Sequence, residues 1–374
     1  MRHDRSLLVA VLLNPGSVRS LDTAGWGLLI RQARSAQLLA RLAVTLIEAD
    51  LLEATPTAPR RHLCAILEVQ LRQQQAVRWE VEHLVDALAE RAIPLVLLKG
   101  AAYVMAGLKP GRCRLFADLD VLVPRARLGE AELALMLKGW ASGHHDAYDE
   151  RYYRTWMHEL PPMRHIRRMS VVDVHHNLTP DTAPLHPDAA KLLAAAVPCP
   201  DRSDVFVLAP HDMILHSAVH LFNDGEFDHA LRDLFDLYEL VELFVHDLTD
   251  WQTLIGRAIE LDLGRPLFYA QRYLVRVLEL DMPAGLDAAL GPLGPGAMAV
   301  KVLDALFERA LQPDHVSCRS PAVDAARSLL YLRGHTLRMP PHLLVPHLVR
   351  KSLMRLRDFG EVRVIAQAQK ADRP

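Results

Sequence analysis

The spacing of apolar positions changes period along this chain, and the change marks its organisation. From Gly25 to Leu52, Leu28, Leu29, Leu38, Leu39, Leu42, Leu46 and Ile47 recur at helical intervals. Thr55-Pro56-Thr57-Ala58-Pro59 interrupts them. A second helix is predicted over about Arg61 to Arg91, with Leu63, Leu67, Leu71, Val77, Val81, Leu84, Val85 and Leu88 as its stripe. Gln73-Gln74-Gln75 and Glu82 read as its solvated face. Beyond Pro94 the pattern shortens. Leu95–Leu98 is a continuous apolar run of strand length, Lys99-Gly100 a turn that opens a short helix, and Leu119 to Val123 a second apolar strand.

A helix over about Leu128 to Trp140 follows, with Leu133, Leu135, Met136 and Leu137 as core candidates. The polar segment Gly143–His165, with His144, His145, His158 and Glu159, reads as a substrate mouth or a surface excursion. Met163–Ser170 and Val171–Val174 look like strands around a basic turn at Arg167-Arg168. From Asp204 onward helical spacing returns, with Val219, Leu221, Leu231, Leu234, Phe235, Leu237, Leu240, Val241 and Phe244 predicted inside. The segment His342 to Arg357 carries Arg350, Lys351, Arg355 and Arg357 late. It suits a terminal helix packed on its own domain, or a basic amphipathic helix on an anionic membrane surface. Residues 366–374 read as a frayed tail. The predicted fold class is α+β: an N-terminal helical region (1–91), a small mixed-sheet core (92–203) and a C-terminal helical domain (204–374).

Composition adds mainly exclusions. With 374 residues, 51% hydrophobic and 24% charged, the chain has material for a sizeable core. A net charge of −2 gives no whole-chain reason to bind a polyanion, so nucleic acid is not an expected partner. Cys64, Cys113, Cys199 and Cys318 form no CxxC pair, which suits a reducing cytoplasm and offers no structural zinc spacing. Leu7–Leu13 has the length of a signal h-region, yet no convincing small-x-small site follows Asn14-Pro15-Gly16. No run of eighteen apolar residues is present, so stable membrane insertion is not expected.

The chemistry concentrates around Asp118 and Asp120. One apolar residue separates them, so on a strand both project from one face while Leu119 and Val121 point into a core. Two carboxylates side by side call for a cation between them, and hard divalent ions prefer oxygen ligands. Asp173 lies on the later apolar strand, with His175 on the same face. His175 either orients a carboxylate, touches substrate or ends the strand as an ordinary polar residue. Lys109, Arg112 and Arg114 either balance the aspartates' charge or contact a triphosphate. His216 and His220 are four apart on a helix, without the Glu of an HExxH motif, and packing or hydrogen bonding is expected of them. Arg232 and Asp236 read as an i,i+4 ion pair.

Leu98-Lys99-Gly100, Arg114, Asp118-Leu119-Asp120 and Asp173-Val174-His175 together resemble the bacterial family described as uncharacterised nucleotidyltransferases, within the polymerase-beta-like superfamily. Leu208-Ala209-Pro210-His211-Asp212 with His216, His220 and Leu231–Asp236 resembles the helical region that follows the core in that family. The resemblance implies a metal-dependent transferase moving a nucleotidyl group, AMP from ATP being the expected case, to a small molecule, saccharide or protein. It implies two magnesium ions, or manganese, on Asp118, Asp120 and Asp173. Lys99, Gly100, Ala101 and Arg114 would bind the nucleotide, and His175 would contact substrate. Superfamily members commonly carry Gly-Ser at the turn, where this chain has Gly100-Ala101, and its glycine-to-aspartate spacing is long. The alternative is therefore a degenerate core that binds a nucleotide or partner without turnover. Metal-assisted phosphoester hydrolysis ranks last, for want of a phosphohydrolase motif.

Overall fold

The computed structural model describes residues 6–143 and 147–339, together with His342 and Leu344. The expectations for His144, His145, the basic segment after His342 and the tail lie outside the described residues. Seven strands form one mixed sheet: β1 (Leu95–Leu97), β2 (Leu119–Leu122), β3 (Trp140–Ser142), β4 (Met163–His165), β5 (Val171–His175), β6 (Val197–Cys199) and β7 (Arg202–Val207). Their spatial order is β3-β4-β5-β2-β1-β7-β6. β1 runs antiparallel to β2 and parallel to β7, and β2 runs parallel to β5. The central β1 and β2 are buried along their whole lengths, which is why β1 reads as a continuous apolar run and β2 as one broken only by Asp120.

Helices flank this sheet. Those that shape the site are α1 (Leu39–Glu48), α2 (Thr57–Ala89), α3 (Lys99–Met105), α4 (Pro210–Asn223), α5 (Ala230–Phe244) and α6 (Pro321–Arg338). The apolar pattern from Gly25 to Leu52 resolves into two helices, Thr23–Ser35 and α1, because Gln37 takes a left-handed conformation (φ 54°) between them. Pro210 occupies the first turn of α4 and Ser320 caps α6, whose Pro321 needs no hydrogen-bonded N–H there. One apolar core runs from Leu8, Val9 and Val11 in the first helix, through β1 and β2, to α4, α5 and Phe307. The apolar N-terminal run is thus a core helix in the folded chain. No single helix among the described residues is long and apolar enough to cross a membrane.

Three expectations change. Of the expected solvated face of α2, Gln75 and Glu82 are exposed, but Gln73 and Gln74 are not free in solvent. Gln70 and Gln74 both donate to the Gly111 carbonyl, at 3.1 and 3.0 Å, and Gln73 accepts from the Phe116 amide at 2.9 Å. They tie the loop that leads into β2, where a backbone without a regular ladder needs partners. The helix after β2 spans Leu128–Leu137 and buries Ala131, Ala134 and Leu135, whereas Leu133, Met136 and Leu137 are exposed. Its small residues allow close approach to α2, and its large ones face outward. Arg232 and Asp236 do not pair. Arg232 bonds Asp233 and Gln37, while Asp236 accepts from Arg41 and Arg114 at 3.1 and 2.8 Å.

Candidate active site

The site grows from the β2–β5 pair. In their parallel register Asp120 lies opposite Asp173 and Leu122 opposite His175. Neighbouring strands are about 4.8 Å apart, so two carboxylates are held abreast on one face. Asp118, just before β2, is exposed and projects from the same side, while Leu119 and Val121 are buried as the alternation required. The His158–Leu160 segment is pinned to the end of β5. The His176 amide donates to the His158 carbonyl at 2.8 Å, and the Leu160 amide to the Val174 carbonyl at 2.9 Å. That pairing brings Glu159 opposite His175.

A cleft of about 640 Å³ opens over these strands. One wall carries Asp118, Asp120, Asp173, Glu159 and His175; the other is built by α4, the start of α5 and the end of α6, with His216, His220, Asp233 and Arg338. Lys99 and Arg114 line the cleft, whereas Gly100 and Ala101 are buried in α3 and do not reach its surface. Gly100 has a packing reason of its own, since a Cβ there would lie 2.8 Å from the Phe116 ring. The Phe116 ring in turn lies under the Arg114 guanidinium, 5.8 Å from its centre. Lys109 pairs with Glu48 and Glu239 and so does not balance the aspartates; Arg112 is exposed.

Charge is concentrated on Asp120. Its Oδ1 accepts from His175 Nε2 at 3.0 Å and lies 3.7 Å from Lys99 Nζ. Burial opposes ionisation, but Lys99 and His175 outweigh it and hold Asp120 well below the usual carboxylate range. His175 also meets Glu159, its Nδ1 lying 3.3 Å from Oε2. Burial works against the imidazolium, yet Glu159 and the bond to Asp120 raise its pKa. Of the three roles open to His175, orienting a carboxylate is therefore the one visible in the geometry. Lys99 is raised likewise: burial opposes its charge, and Asp120, Asp224 and Glu159 prevail. Lys99 also adopts a left-handed backbone (φ 42°), costly for a residue with a side chain and typical of functional positions.

Asp173 has no such support. Its Oδ1 is buried without a hydrogen-bond partner. Burial, then the neighbouring Asp120, Glu159 and Asp118, push its pKa up to about 7. Burial and Asp120 raise Asp118 as well. An orphaned buried carboxylate oxygen beside two further carboxylates is the donor set that a hard divalent cation satisfies, so these three residues fit magnesium or manganese.

The opposite wall contains groups the sequence did not single out. Asp224, at the end of α4, meets His220 at 3.2 Å and Arg338 at 3.2 Å. His220 also faces Asp233 at 3.7 Å, so its imidazole sits between two carboxylates of the cleft wall. Burial lowers the pKa of His220 and holds His158 and His216 well below the usual value, so all three are neutral near pH 7. Asp224 lies in no motif, and only the return of helix α6, more than a hundred residues later, gives it Arg338. No local signal could have found it.

A search of curated proteins finds no match. A family model described as "Uncharacterised nucleotidyltransferase" matches residues 22–279, the stretch that holds all seven strands, the three aspartates and both α4 and α5. That match spans well over half of the chain and brackets the whole carboxylate wall of the cleft, so the chain belongs to the uncharacterised nucleotidyltransferase family.

Proposed function

We propose that the protein transfers a nucleotidyl group, AMP from ATP being the expected case, to a hydroxyl of a small molecule, saccharide or protein. Family membership supports nucleotidyl transfer in general and a nucleoside triphosphate as donor. The observation that carries the catalytic reading is Asp173. Its partnerless oxygen lies in register with Asp120, on a carboxyl poised near pH 7. Asp118, Asp120 and Asp173 would hold two divalent ions, magnesium or manganese, which lower the acceptor's pKa and neutralise charge on the leaving pyrophosphate when bound.

The chain's own groups then have separable tasks. Asp173 would complete the ion site that activates the acceptor hydroxyl; its raised pKa belongs to the metal-free protein, and a bound cation would lower it. His175 fixes the orientation of Asp120 through a 3.0 Å hydrogen bond. Lys99, on its strained backbone, presents an ammonium at the edge of the aspartates where phosphate oxygens would lie. Arg114, tied to Asp236, adds a fixed positive field rather than a swinging contact. Gly100 and Ala101, buried behind the cleft surface, would contribute by shaping the turn that presents Lys99, and Ala101 has no hydroxyl to offer a phosphate. The wall made by α4, α5 and α6 is where acceptor specificity would reside. A reducing cytoplasm suits four free cysteines, of which Cys113 and Cys199 are buried.

The test is transfer from α-labelled triphosphates, with magnesium or manganese, into a cell extract, with pyrophosphate release followed in parallel. Wild type should label an acceptor, and Asp118→Asn with Asp120→Asn should abolish both signals without loss of folded protein. Equal behaviour of wild type and double variant would sink the catalytic reading. One observation favours the second reading, a nucleotide- or partner-binding protein without turnover: Ala101 stands where the superfamily's serine would hold phosphate. Nucleotide binding without pyrophosphate release would select it.

A further inference from the structure

We propose that His158, Glu159 and His175 form a second metal site, one that takes a zinc-class cation, adjacent to but chemically distinct from the aspartate centre. One ligand atom from each of the three lies within 4.8 Å of the others. The His175 Nδ1 to Glu159 Oε2 separation is 3.3 Å. Two ligands at zinc distances of about 2.0–2.1 Å in a tetrahedral arrangement stand about 3.3 Å apart. The donor set is two imidazoles and one carboxylate, which suits zinc and cobalt, whereas the all-carboxylate aspartate centre suits magnesium.

Three features set this group apart from a chance meeting of polar residues. His158 has a buried Nδ1 without a hydrogen-bond partner, and its ring centre lies 5.3 Å from that of His175. The backbone holds the ligands in place, since the amides of His176 and Leu160 bond the carbonyls of His158 and Val174 on either side of His175. Finally, His175 Nε2 is bonded to Asp120 at 3.0 Å, which directs its Nδ1 toward Glu159. A carboxylate behind a ligating imidazole is the outer-shell arrangement that fixes the tautomer and strengthens the ligand. Asp120 would then serve both centres, through one oxygen to His175 and through the other to the aspartate site. Three protein ligands leave a fourth position for water or an acceptor group from the cleft that all three residues line.

The proposal stands apart from nucleotidyl transfer and is read without turnover. The full chain, stripped with EDTA and returned to metal-free buffer, is titrated with Co²⁺ while visible absorption is recorded. One equivalent should produce the intense bands of a four- or five-coordinate ion, and equimolar Zn²⁺ should remove them. His158→Gln and Glu159→Gln should each weaken Co²⁺ by more than about 100-fold, and Asp120→Asn by about 10–100-fold, the usual outer-shell effect. Asp118→Asn should leave the bands unchanged. Far-UV circular dichroism identifies any variant that fails to fold, and the Glu159→Gln pair with wild type then carries the comparison. Only the faint spectrum of a six-coordinate ion, bands untouched by Glu159→Gln, or bands lost in Asp118→Asn would each overturn the proposal.

Discussion

Asp173 is the residue whose replacement should reveal the site before any substrate is known. In the metal-free protein its pKa rises from 3.8 to about 7, because burial and three neighbouring carboxylates oppose its charge. The sign follows from proton linkage. Below pH 3.8 folded and unfolded chains both carry the proton and nothing is lost. Between 3.8 and 7 the unfolded chain releases it while the folded chain keeps it, so stability falls as pH rises, and above 7 the deficit is constant. At about 1.4 kcal/mol per pH unit, the full deficit is on the order of 4 kcal/mol. Water reaching the partly exposed carboxyl screens some of it, leaving about 2 kcal/mol. Asp173→Asn keeps the shape and removes the charge. With EDTA at pH 8 it should therefore be more stable than wild type by about 2 kcal/mol, a few degrees in thermal midpoint, and the gain should shrink by roughly half at pH 5. Magnesium should stabilise wild type and leave the variant where it was. Thermal or urea unfolding at the two pH values, with and without magnesium, measures all of this. A variant no more stable than wild type at pH 8 in EDTA would refute the claim that Asp173 is an electrostatically frustrated ligand.

Other consequences concern how the cleft is held together. Asp236→Leu leaves Arg41 with Glu239 alone and takes the carboxylate partner from Arg114, and should cost about 3 kcal/mol in urea unfolding, the low end of the penalty for breaking a buried pair. Gly111→Ala should destabilise more than Gly100→Ala. The first places a Cβ 2.7–2.8 Å from the Tyr103 and Val104 backbone, which cannot turn aside, and should cost about 1–3 kcal/mol; the second meets only the Phe116 ring. Gly334→Ala puts a Cβ 2.5 Å from the Gly225 Cα, where α6 crosses the end of α4. It should displace Arg338 from Asp224 and weaken acceptor use more than triphosphate binding, as separate KM values for the two substrates would record.

The carboxylate wall was legible in the sequence because its determinants are local. A period-two alternation places Asp118 and Asp120 on one face, and Leu119 and Val121 are buried as it demands. The pairing of Asp173 with Asp120 needed the family pattern as well, since register between strands fifty residues apart is set by tertiary packing. Misreadings arose where polar residues make long-range bonds. Gln73 and Gln74 look solvated in a helical projection, yet with Gln70 they hold the loop about forty residues further on. Asp236 sits four residues from Arg232, and helical spacing alone cannot reveal that Arg41 and Arg114 reach it first. Apolar residues mislead likewise on Leu128–Leu137, where helix packing selected the alanines and left Leu133, Met136 and Leu137 outside.

The Arg41–Asp236–Arg114 bridge explains why the helical regions are built into the cleft rather than packed beside it. Arg41 comes from α1, Asp236 from α5, and Arg114 from the loop that delivers the chain into β2. Arg41 and Asp236 are almost fully buried, so neither can leave its partners without stranding a charge in the interior. The same loop carries Phe116, which fills the space beside Gly100 and lies close beneath Arg114. Displacement of α5 would therefore pull on Arg114, on the packing of α3 where Lys99 begins, and on the approach to Asp118. Lys99 in turn is charge-coupled to Asp120 on one wall and Asp224 on the other. The two walls of the cleft share one electrostatic framework. A substitution that repositions α5 is thus expected to alter both substrates' binding together, unlike Gly334→Ala, which acts on α6 alone.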